Sequence, residues 1–413
     1  MRHRLLAIAA AALLLIALPS ALAGAAPSGT FSGAASAVAF ELSLKAFNVA
    51  DPLGFSAGVS AVEGNHFPFA KAKGAGTCEA LGPGETLMTL PCQATNTEQV
   101  EVSGSGEQNP DPNPLKCETP AVDPAITAVL NLGLACGNAH ARITGDDPFA
   151  EGRGNVGTIE IVAVPEELLD LVPDELENLL PSSAKVIDAR IGTTVSRFTS
   201  EGSVVTSRAD ASASVIVVGG VVEDRGGEPN GLLIIETGDA FAQASWNGST
   251  PIAAGEAKPS LLTIRVRQLD GSYQTIEPPL PGQSVTQLNG TPLQTTITAA
   301  DSSVTQETVG PKGTATAKAT AVQVYAAQGV GGSAGSDCVA FNCDGGLELR
   351  LGIAEARIDG EVPVSVPQLA TTGLSDRLVL AGLLVLLAAW LLVHRLNDHR
   401  GPEGVSVSST PSR

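Results

Sequence analysis

The stretch Thr314-Ala-Thr-Ala-Lys-Ala-Thr-Ala-Val-Gln-Val-Tyr325 decides the fold class of this 413-residue chain. Ala315, Ala317, Ala319 and Ala321 alternate with polar residues, and a period of two is typical of a β-strand with one buried face. Alanine is a weak strand former on its own. The stripe therefore predicts a strand that is held by close packing against another sheet rather than by intrinsic propensity.

The same alternation extends outward along the chain. It recurs at residues 40–45, 208–217 and 262–267. Residues 223–230, rich in Gly, Asp and Glu, separate two apolar runs and are typical of a hairpin loop. The sequence predicts a mainly β chain with an antiparallel, β-sandwich-like exposed region.

Composition limits the classes of function. The formal net charge is -19 and the hydrophobic fraction is 43%. A surface this acidic repels nucleic acid, so we exclude a nucleic-acid partner. The hydrophobic content is too high for general disorder.

Residues 165–182 interrupt the β pattern with leucines at helical spacing, a start at Pro165 and a break at Pro173. We interpret them as an amphipathic helical connector between an N-terminal β-rich domain, 27–164, and a C-terminal β-rich domain, 183–365. A helix lying on a membrane is the alternative. Its charges are acidic, however, whereas membrane-surface helices prefer Lys and Arg.

An internal echo suggests that the two domains are related. Ala139-His-Ala-Arg-Ile-Thr-Gly145 and Ala354-Glu-Ala-Arg-Ile-Asp-Gly360 share one pattern, and residues 188–192 repeat part of it. In the second copy, the pattern predicts that the Ala and Ile side chains face the core. Glu355 and Arg357 are predicted to face solvent.

Both ends of the chain carry export features. Residues 1–23 combine a basic start, an apolar run and a small-x-small triplet, which predicts a secretory signal peptide; an uncleaved anchor is the alternative. Near the other end, residues 366–377 form a polar linker, residues 378–395 are predicted as a transmembrane helix and residues 396–413 as a cytoplasmic tail. A buried core helix is the alternative for this short apolar span.

The C-terminal order of pentapeptide, apolar span and basic stop resembles the sorting signal of Gram-positive surface proteins. The usual Leu-Pro-x-Thr-Gly appears here in a variant that resembles actinobacterial signals, with recognition residues Leu369, Ala370, Thr371, Thr372 and Gly373. The resemblance implies cleavage after Thr372 by a sortase and attachment to peptidoglycan at the cell surface. A plain single-pass anchor stays open. The Ala-x-Ala pattern also loosely resembles actinobacterial "choice-of-anchor" surface proteins.

Six cysteines lie in the region predicted to be exported, where the compartment is oxidising and an even count indicates disulfides. Chain order suggests three local bridges. These are Cys78–Cys92, Cys117–Cys136 and Cys338–Cys343. The connectivity of the first four cysteines is not fixed by the sequence, and the spacing expected of a metal site is lacking.

Catalytic motifs are weak. Two segments match the Gly-x-Ser-x-Gly consensus of a nucleophile elbow, Gly54-Phe-Ser-Ala-Gly58 and Gly331-Gly-Ser-Ala-Gly335. An elbow requires a helix after the serine, and no helical pattern follows either segment. His66 and His140 are the only histidines in the exported region, which disfavours a serine triad. The acidic pairs near Asp146 are more typical of solvated loops than of calcium sites.

We therefore expect an exported, envelope-anchored surface protein with a non-catalytic, adhesive or structural β-rich region. No cofactor and no metal is expected, and the ligand of the exposed region is unknown. The alternatives are a surface hydrolase that uses acidic residues and a membrane-tethered binding protein without sortase processing. A pocket that gathers several carboxylates would favour the hydrolase.

Overall fold

The computed structural model describes twelve stretches of the chain. They are residues 29–44, 53–79, 86–101, 113–121, 130–161, 185–190, 192–212, 215–222, 227–259, 262–289, 293–326 and 347–363. All belong to one compact unit, residues 1–363. The predicted signal peptide, helical connector, linker, transmembrane helix, tail and sorting residues lie outside the described residues, as do Cys338 and Cys343. Within those twelve stretches, no helix is long and apolar enough to span a bilayer.

The described part is mainly β, as the alternation predicted. Its strands, in chain order, are β1 Thr30–Leu44, β2 Leu53–Asn65, β3 Phe69–Glu79, β4 Cys92–Gln93, β5 Asn96–Glu101, β6 Lys116–Glu118, β7 Leu130–Leu132, β8 Ala135–Thr144, β9 Asp147–Val156, β10 Thr158–Ile161, β11 Lys185–Arg190, β12 Thr193–Glu201, β13 Val204–Ser212, β14 Val215–Val221, β15 Asn230–Thr237, β16 Asp239–Trp246, β17 Ala253–Lys258, β18 Leu262–Arg267, β19 Tyr273–Ile276, β20 Ser284–Gln287, β21 Thr295–Val309, β22 Lys312–Ala326 and β23 Leu347–Glu361.

Three antiparallel sheets contain these strands. Sheet A has the order β20-β21-β22-β23-β1-β2-β3-β4, with β5 also on β3. Sheet B has the order β17-β16-β13-β12-β9-β8-β6, and sheet C the order β19-β18-β15-β14-β11-β10-β7. Successive strands pass between sheets B and C, for example from β7 to β8 and from β9 to β10. Sheets B and C together therefore form the layer that packs on sheet A.

The predicted division into domains 27–164 and 183–365 does not match these sheets. β1 pairs with β23 from Thr30↔Glu361 to Leu44↔Leu347, which joins the two predicted domains in one sheet. Sheets B and C also contain strands from both sides of the predicted connector. The physical reason is that apolar side chains from both predicted domains pack together, so that each main core contains strands from both sides of the connector.

Sheet A packs on sheet B through an alanine-rich core. Ala315 and Ala317 of β22 belong to it, together with Ala354 and Ala356 of β23. Their partners in sheet B include Ala209 and other small side chains. The close packing that the alanine stripe predicted is therefore present. The Ala and Ile side chains of residues 354–360 also face the core, as the pattern predicted.

Glycine brings the two backbones into still closer contact beside this core. A Cβ atom added to Gly74 of β3 would lie 2.1 Å from the carbonyl oxygens of both Arg153 and Asn138 on sheet B. A Cβ on Gly154 would lie 2.3 Å from the carbonyl oxygen of Val59. No side chain fits between the sheets at these points, so glycine sets their separation.

A second core, rich in Leu, Ile and Val, lies between sheets A and C. Sheet A contributes Phe40, Leu42 and Leu349 to it, and sheet C contributes Ile187 and Ile235. Burial of such side chains stabilises each by roughly 1.5–3 kcal/mol relative to exposure. The aliphatic core therefore supplies most of the hydrophobic stabilisation per residue, while the alanine core supplies close contact.

The strands of sheet A change phase where the two cores meet. In β23 the buried positions run Leu347, Leu349 and Leu351 and then Ala354, a step of three instead of two. Gly352 lies in this step with a φ of 59°. The pairing register is unchanged across it, because β1 shifts at the same level. In β23 this left-handed glycine thus keeps both halves of the strand facing the core.

Candidate functional site

A cavity of about 770 Å³ lies on the face of sheet A opposite the two cores. Its floor runs along β1, where Ala34, Ser36 and Val38 present small side chains to the outside, and continues onto Ala61 and Ile353. We call this cavity the β1 groove. Its volume falls within the range of about 300–1,000 Å³ that is usual for ligand pockets.

One wall of the β1 groove is the segment of residues 86–91. Leu87 and Met88 of this segment line the groove and pack on an outer cluster that includes Val59 and Ala75. The disulfide Cys78–Cys92 ties the end of the segment to β3. The wall is therefore a covalently restrained loop on an apolar base.

Lys73 of β3 also holds the segment of residues 86–91 in place. Its side chain is 4% exposed, and its Nζ donates hydrogen bonds to the carbonyl oxygens of Leu90 at 2.6 Å and Met88 at 3.4 Å. Burial, with a smaller contribution from the charge of Lys71, lowers the pKa of Lys73 to about 8. The amine satisfies two loop carbonyls that would otherwise be buried without partners.

Six charged residues line the β1 groove, four carboxylates and two guanidinium groups. These are Glu41, Glu63, Asp301, Glu355, Arg350 and Arg357. Arg350 lies 3.7 Å from Glu41, and Lys318 lies 2.9 Å from Glu355. Arg357 pairs with Asp359 at 2.9 Å. Among the described residues, Glu63 and Asp301 make no ion pair, although Lys71 lies opposite Glu63 in the register.

A smaller cavity of about 260 Å³ adjoins the groove and shares Ala34, Glu63 and Arg357 with it. Each cavity contains a buried polar atom with no hydrogen-bond partner in the described part of the chain. In the groove this atom is Oγ of Ser56, a residue 1% exposed, and in the smaller cavity it is Oδ1 of Asn65. Both atoms lie beneath the accessible surface of the cavity walls.

The disulfide predictions are confirmed for four cysteines. Cys78–Cys92 joins β3 to β4, and Cys117–Cys136 joins β6 to β8. Both bridges link directly opposed residues of neighbouring strands. Free cysteines are lacking among the described residues.

The sequence motifs weighed for catalysis lie apart from one another. Ser56, the centre of the first Gly-x-Ser-x-Gly match, is inside strand β2 and not on a strand-to-helix turn. His66 Nδ1 lies 3.2 Å from the carbonyl oxygen of Phe31, and the His140 ring packs edge-on to Phe149. The second match, at residues 331–335, lies outside the described residues.

The acidic residues considered for calcium do not converge. Ser200 donates a hydrogen bond to Asp147, while the Glu151 carboxylate accepts hydrogen bonds from Arg153 and Arg197. These bonds lower the pKa of Glu151, although burial alone acts in the opposite direction. No group of three metal-ligating side chains occurs in the twelve described stretches.

Sequence reasoning missed the β1 groove because its residues come from distant strands. Ser56 stands at the centre of a Gly-x-Ser-x-Gly match, but that match indicates a nucleophile elbow and not a groove, and the missing helical pattern disfavours the elbow. Comparison with known proteins adds no name: no family model matches the chain, and no curated protein matches it significantly.

Proposed function

We propose that this protein is an exported surface protein, anchored at the cell envelope, whose β-rich region binds a ligand in the β1 groove without catalysing a reaction. The observation that carries the binding part is the concave β1 groove of about 770 Å³, lined by four carboxylates of which two make no ion pair among the described residues. Two disulfides support an extracellular location, because such bonds persist in oxidising compartments.

The anchor is proposed from the C-terminal sequence. Leu369 and Ala370 would occupy the recognition groove of a sortase. Thr372 would supply the acyl carbonyl that passes to the enzyme's cysteine and then to a peptidoglycan amine, with Gly373 leaving. Mass spectrometry of the C-terminal peptide from purified cell walls tests this proposal. A peptide ending at Thr372 and joined to a stem fragment is expected, and an intact peptide running past Gly373 would contradict it.

Fold details beyond the described strands are also part of the proposal. The packing of sheet A on sheets B and C supports a β-sandwich for the exposed region. Short helices at residues 165–182 and a membrane-spanning helix at residues 378–395 remain proposals from sequence. If the sortase step does not occur, this span would tether the protein directly to the membrane.

A hydrolase is the second candidate, because four carboxylates line one concave surface. Two of them, Glu41 and Glu355, have cationic partners. The other two, Glu63 and Asp301, lie on β2 and β21 with three strands between them. At roughly 4.8 Å per strand their backbones are about 19 Å apart, well beyond the ~5–9.5 Å that separates paired glycosidase carboxyl groups.

Hydrolysis assays of the purified protein on soluble wall glycans separate the two candidates. Binding without catalysis predicts no turnover above a boiled control. Turnover that is lost in both Glu63→Gln and Asp301→Asn, with binding retained, would favour the hydrolase instead.

A further inference from the structure

We propose that the β1 groove and the adjoining cavity together bind an extended polypeptide segment that carries basic side chains. This inference rests on the proposed binding function and specifies its ligand. It follows from three properties of the surface: its length, its floor and its unpaired charges.

The length fits an extended chain. The two cavities share three lining residues, so together they cover the outer face of β1 from Ser32 to Glu41. Nine residue steps along a strand span about 30 Å, at roughly 3.3 Å per residue. An extended ligand of about nine residues covers the same distance, whereas a compact small molecule fills only part of it.

The floor favours a polypeptide over a sugar chain. Its centre consists of the small side chains of Ala34, Ser36 and Ala61, which leave room for a ligand backbone to approach the sheet. Among the described residues, none that lines the β1 groove is aromatic, and the adjoining cavity has one aromatic side chain, Phe69. Sugar-binding faces tend to use aromatic platforms, and this surface offers an aliphatic wall at Leu87 and Met88 instead.

The charges favour a basic ligand. Glu63 lines both cavities and is half-buried, and Asp301 stands on the opposite side of the groove. Neither has an ion-pair partner within the described part of the chain, while both groove arginines already contact carboxylates. The whole chain carries -19, so a second copy of this protein would be repelled and a cationic partner attracted.

The test measures fluorescence anisotropy of labelled nine-residue peptides with the full-length protein in detergent. The basic probe is Lys-Ala-Ser-Lys-Ala-Gly-Lys-Ala-Ser, and the matched acidic probe has Glu at each Lys position. We expect the basic peptide to bind at least ten-fold more tightly, with an affinity that falls as salt is raised. Equal binding of the two peptides would overturn the proposal.

Variants locate the site. Ala34 is exposed and shared by both cavities, so Ala34→Trp fills the path without entering the core, and binding should weaken more than ten-fold. Val204→Trp, at an exposed position on sheet B, is the matched control and should leave binding unchanged. If both tryptophan variants bind the basic peptide like the unmodified protein, the ligand lies elsewhere and the proposal is wrong.

Charge removal supplies an independent check. Glu63→Gln should weaken basic-peptide binding about three-fold, as for a half-exposed ion pair. Glu307→Gln, on the exposed part of β21, should leave basic-peptide binding unchanged.

A sugar ligand would give a different result. If a wall tetrasaccharide bound the protein and lost affinity in Ala34→Trp, while the basic peptide did not bind, the polypeptide ligand would be overturned and the proposed binding function would stand. The anchor is tested separately by the C-terminal peptide.

Discussion

At the scale of single residues, Lys73 shows how a charged side chain is used to build a wall. A lysine is seldom buried unless its ammonium group has partners. Here the partners are two carbonyl groups of the segment of residues 86–91, and the arrangement persists although burial disfavours the charged form. The groove's shape therefore depends on a group whose protonation can be titrated.

The pH dependence of stability follows from that group. The folded-state pKa of Lys73 is about 8, below the ordinary pKa of 10.5 for an exposed lysine, so the unfolded chain binds more protons between these two pH values. The contribution of Lys73 to the free energy of unfolding therefore rises with pH from about 8 to about 10.5, by at most about 1.4 kcal/mol per unit. Below pH 8 the unfavourable contribution is present in full.

Urea unfolding at several pH values measures this effect. Lys73→Met should reduce the rise between pH 8 and pH 10.5, whereas Lys71→Met, on the same strand, should retain it. Identical pH profiles for the Lys73→Met variant and the unmodified protein would show that the amine is not desolvated in the folded state.

At the scale of strands, the alternation in the sequence predicted the strands but not their phase change. Leu347, Leu349 and Leu351 on the one hand, and Ala354 and Ala356 on the other, each show a clear period of two. The step between them contains Gly352, and an isolated glycine in a strand pattern is the available signal for a backbone irregularity. Whether the glycine marks a change in the buried face depends on the neighbouring strand, which changes its buried face at the same level. The sequence does not show which strand that neighbour is.

Close approach of the sheets gives a prediction for Gly74. The methyl group of Gly74→Ala would meet two backbone carbonyl oxygens of sheet B, which cannot move aside as a flexible side chain can. Overpacking of this kind should lower the free energy of unfolding by about 3 kcal/mol. Gly157→Ala is the matched control, because its nearest neighbour lies at 3.3 Å. Similar melting temperatures for the two variants would mean that the sheets can separate at little cost.

The two disulfides should differ in their effect on the groove. They close segments of similar length, with sequence separations of 14 and 19, so removal of either should cost about 3 kcal/mol of stability. The double variant Cys78→Ala/Cys92→Ala also frees the wall of residues 86–91, and basic-peptide binding should fall with it.

The double variant Cys117→Ala/Cys136→Ala is the internal control for that experiment. Its bridge joins β6 and β8 of sheet B, away from the groove, so stability should fall while peptide binding at low temperature is retained. Equal losses of binding in the two double variants would show that binding falls with overall stability and not through release of the wall. Thermal melting and anisotropy on the same samples separate the two effects.

At the scale of the whole molecule, the sequence predicted a mainly β chain and two local disulfides, but not how the strands combine. The pairing of β1 with β23 joins residues more than three hundred positions apart. Periodicity reports which face of a strand is buried, and not which strand lies beside it. The echo between residues 139–145 and 354–360 suggested two domains, whereas the strands that carry it, β8 and β23, lie in sheets B and A of one unit.

Because β1 pairs with β23, we expect that neither the fragment of residues 27–164 nor the fragment of residues 183–365 folds alone. A fragment of residues 27–164 keeps β1 but lacks β23 and β22, and it retains only three strands of sheet B. A fragment of residues 183–365 keeps β23 but leaves the alanine face of sheet A incomplete. Each would expose apolar surface that the other half covers, so neither should show near-ultraviolet circular dichroism or a cooperative melt.

The intact chain of residues 27–365 should instead unfold in one transition, coincident by circular dichroism and tryptophan fluorescence, because Trp246 lies in the core that both halves build. A cooperative melt from either fragment, or two separate transitions in the intact chain, would restore the division at the connector. The contrast has a direct physical basis. The β1–β23 pair of sheet A gains its hydrogen bonds only after the loop of about three hundred residues between the two strands has closed, and the entropy of that closure is recovered only when both cores form together.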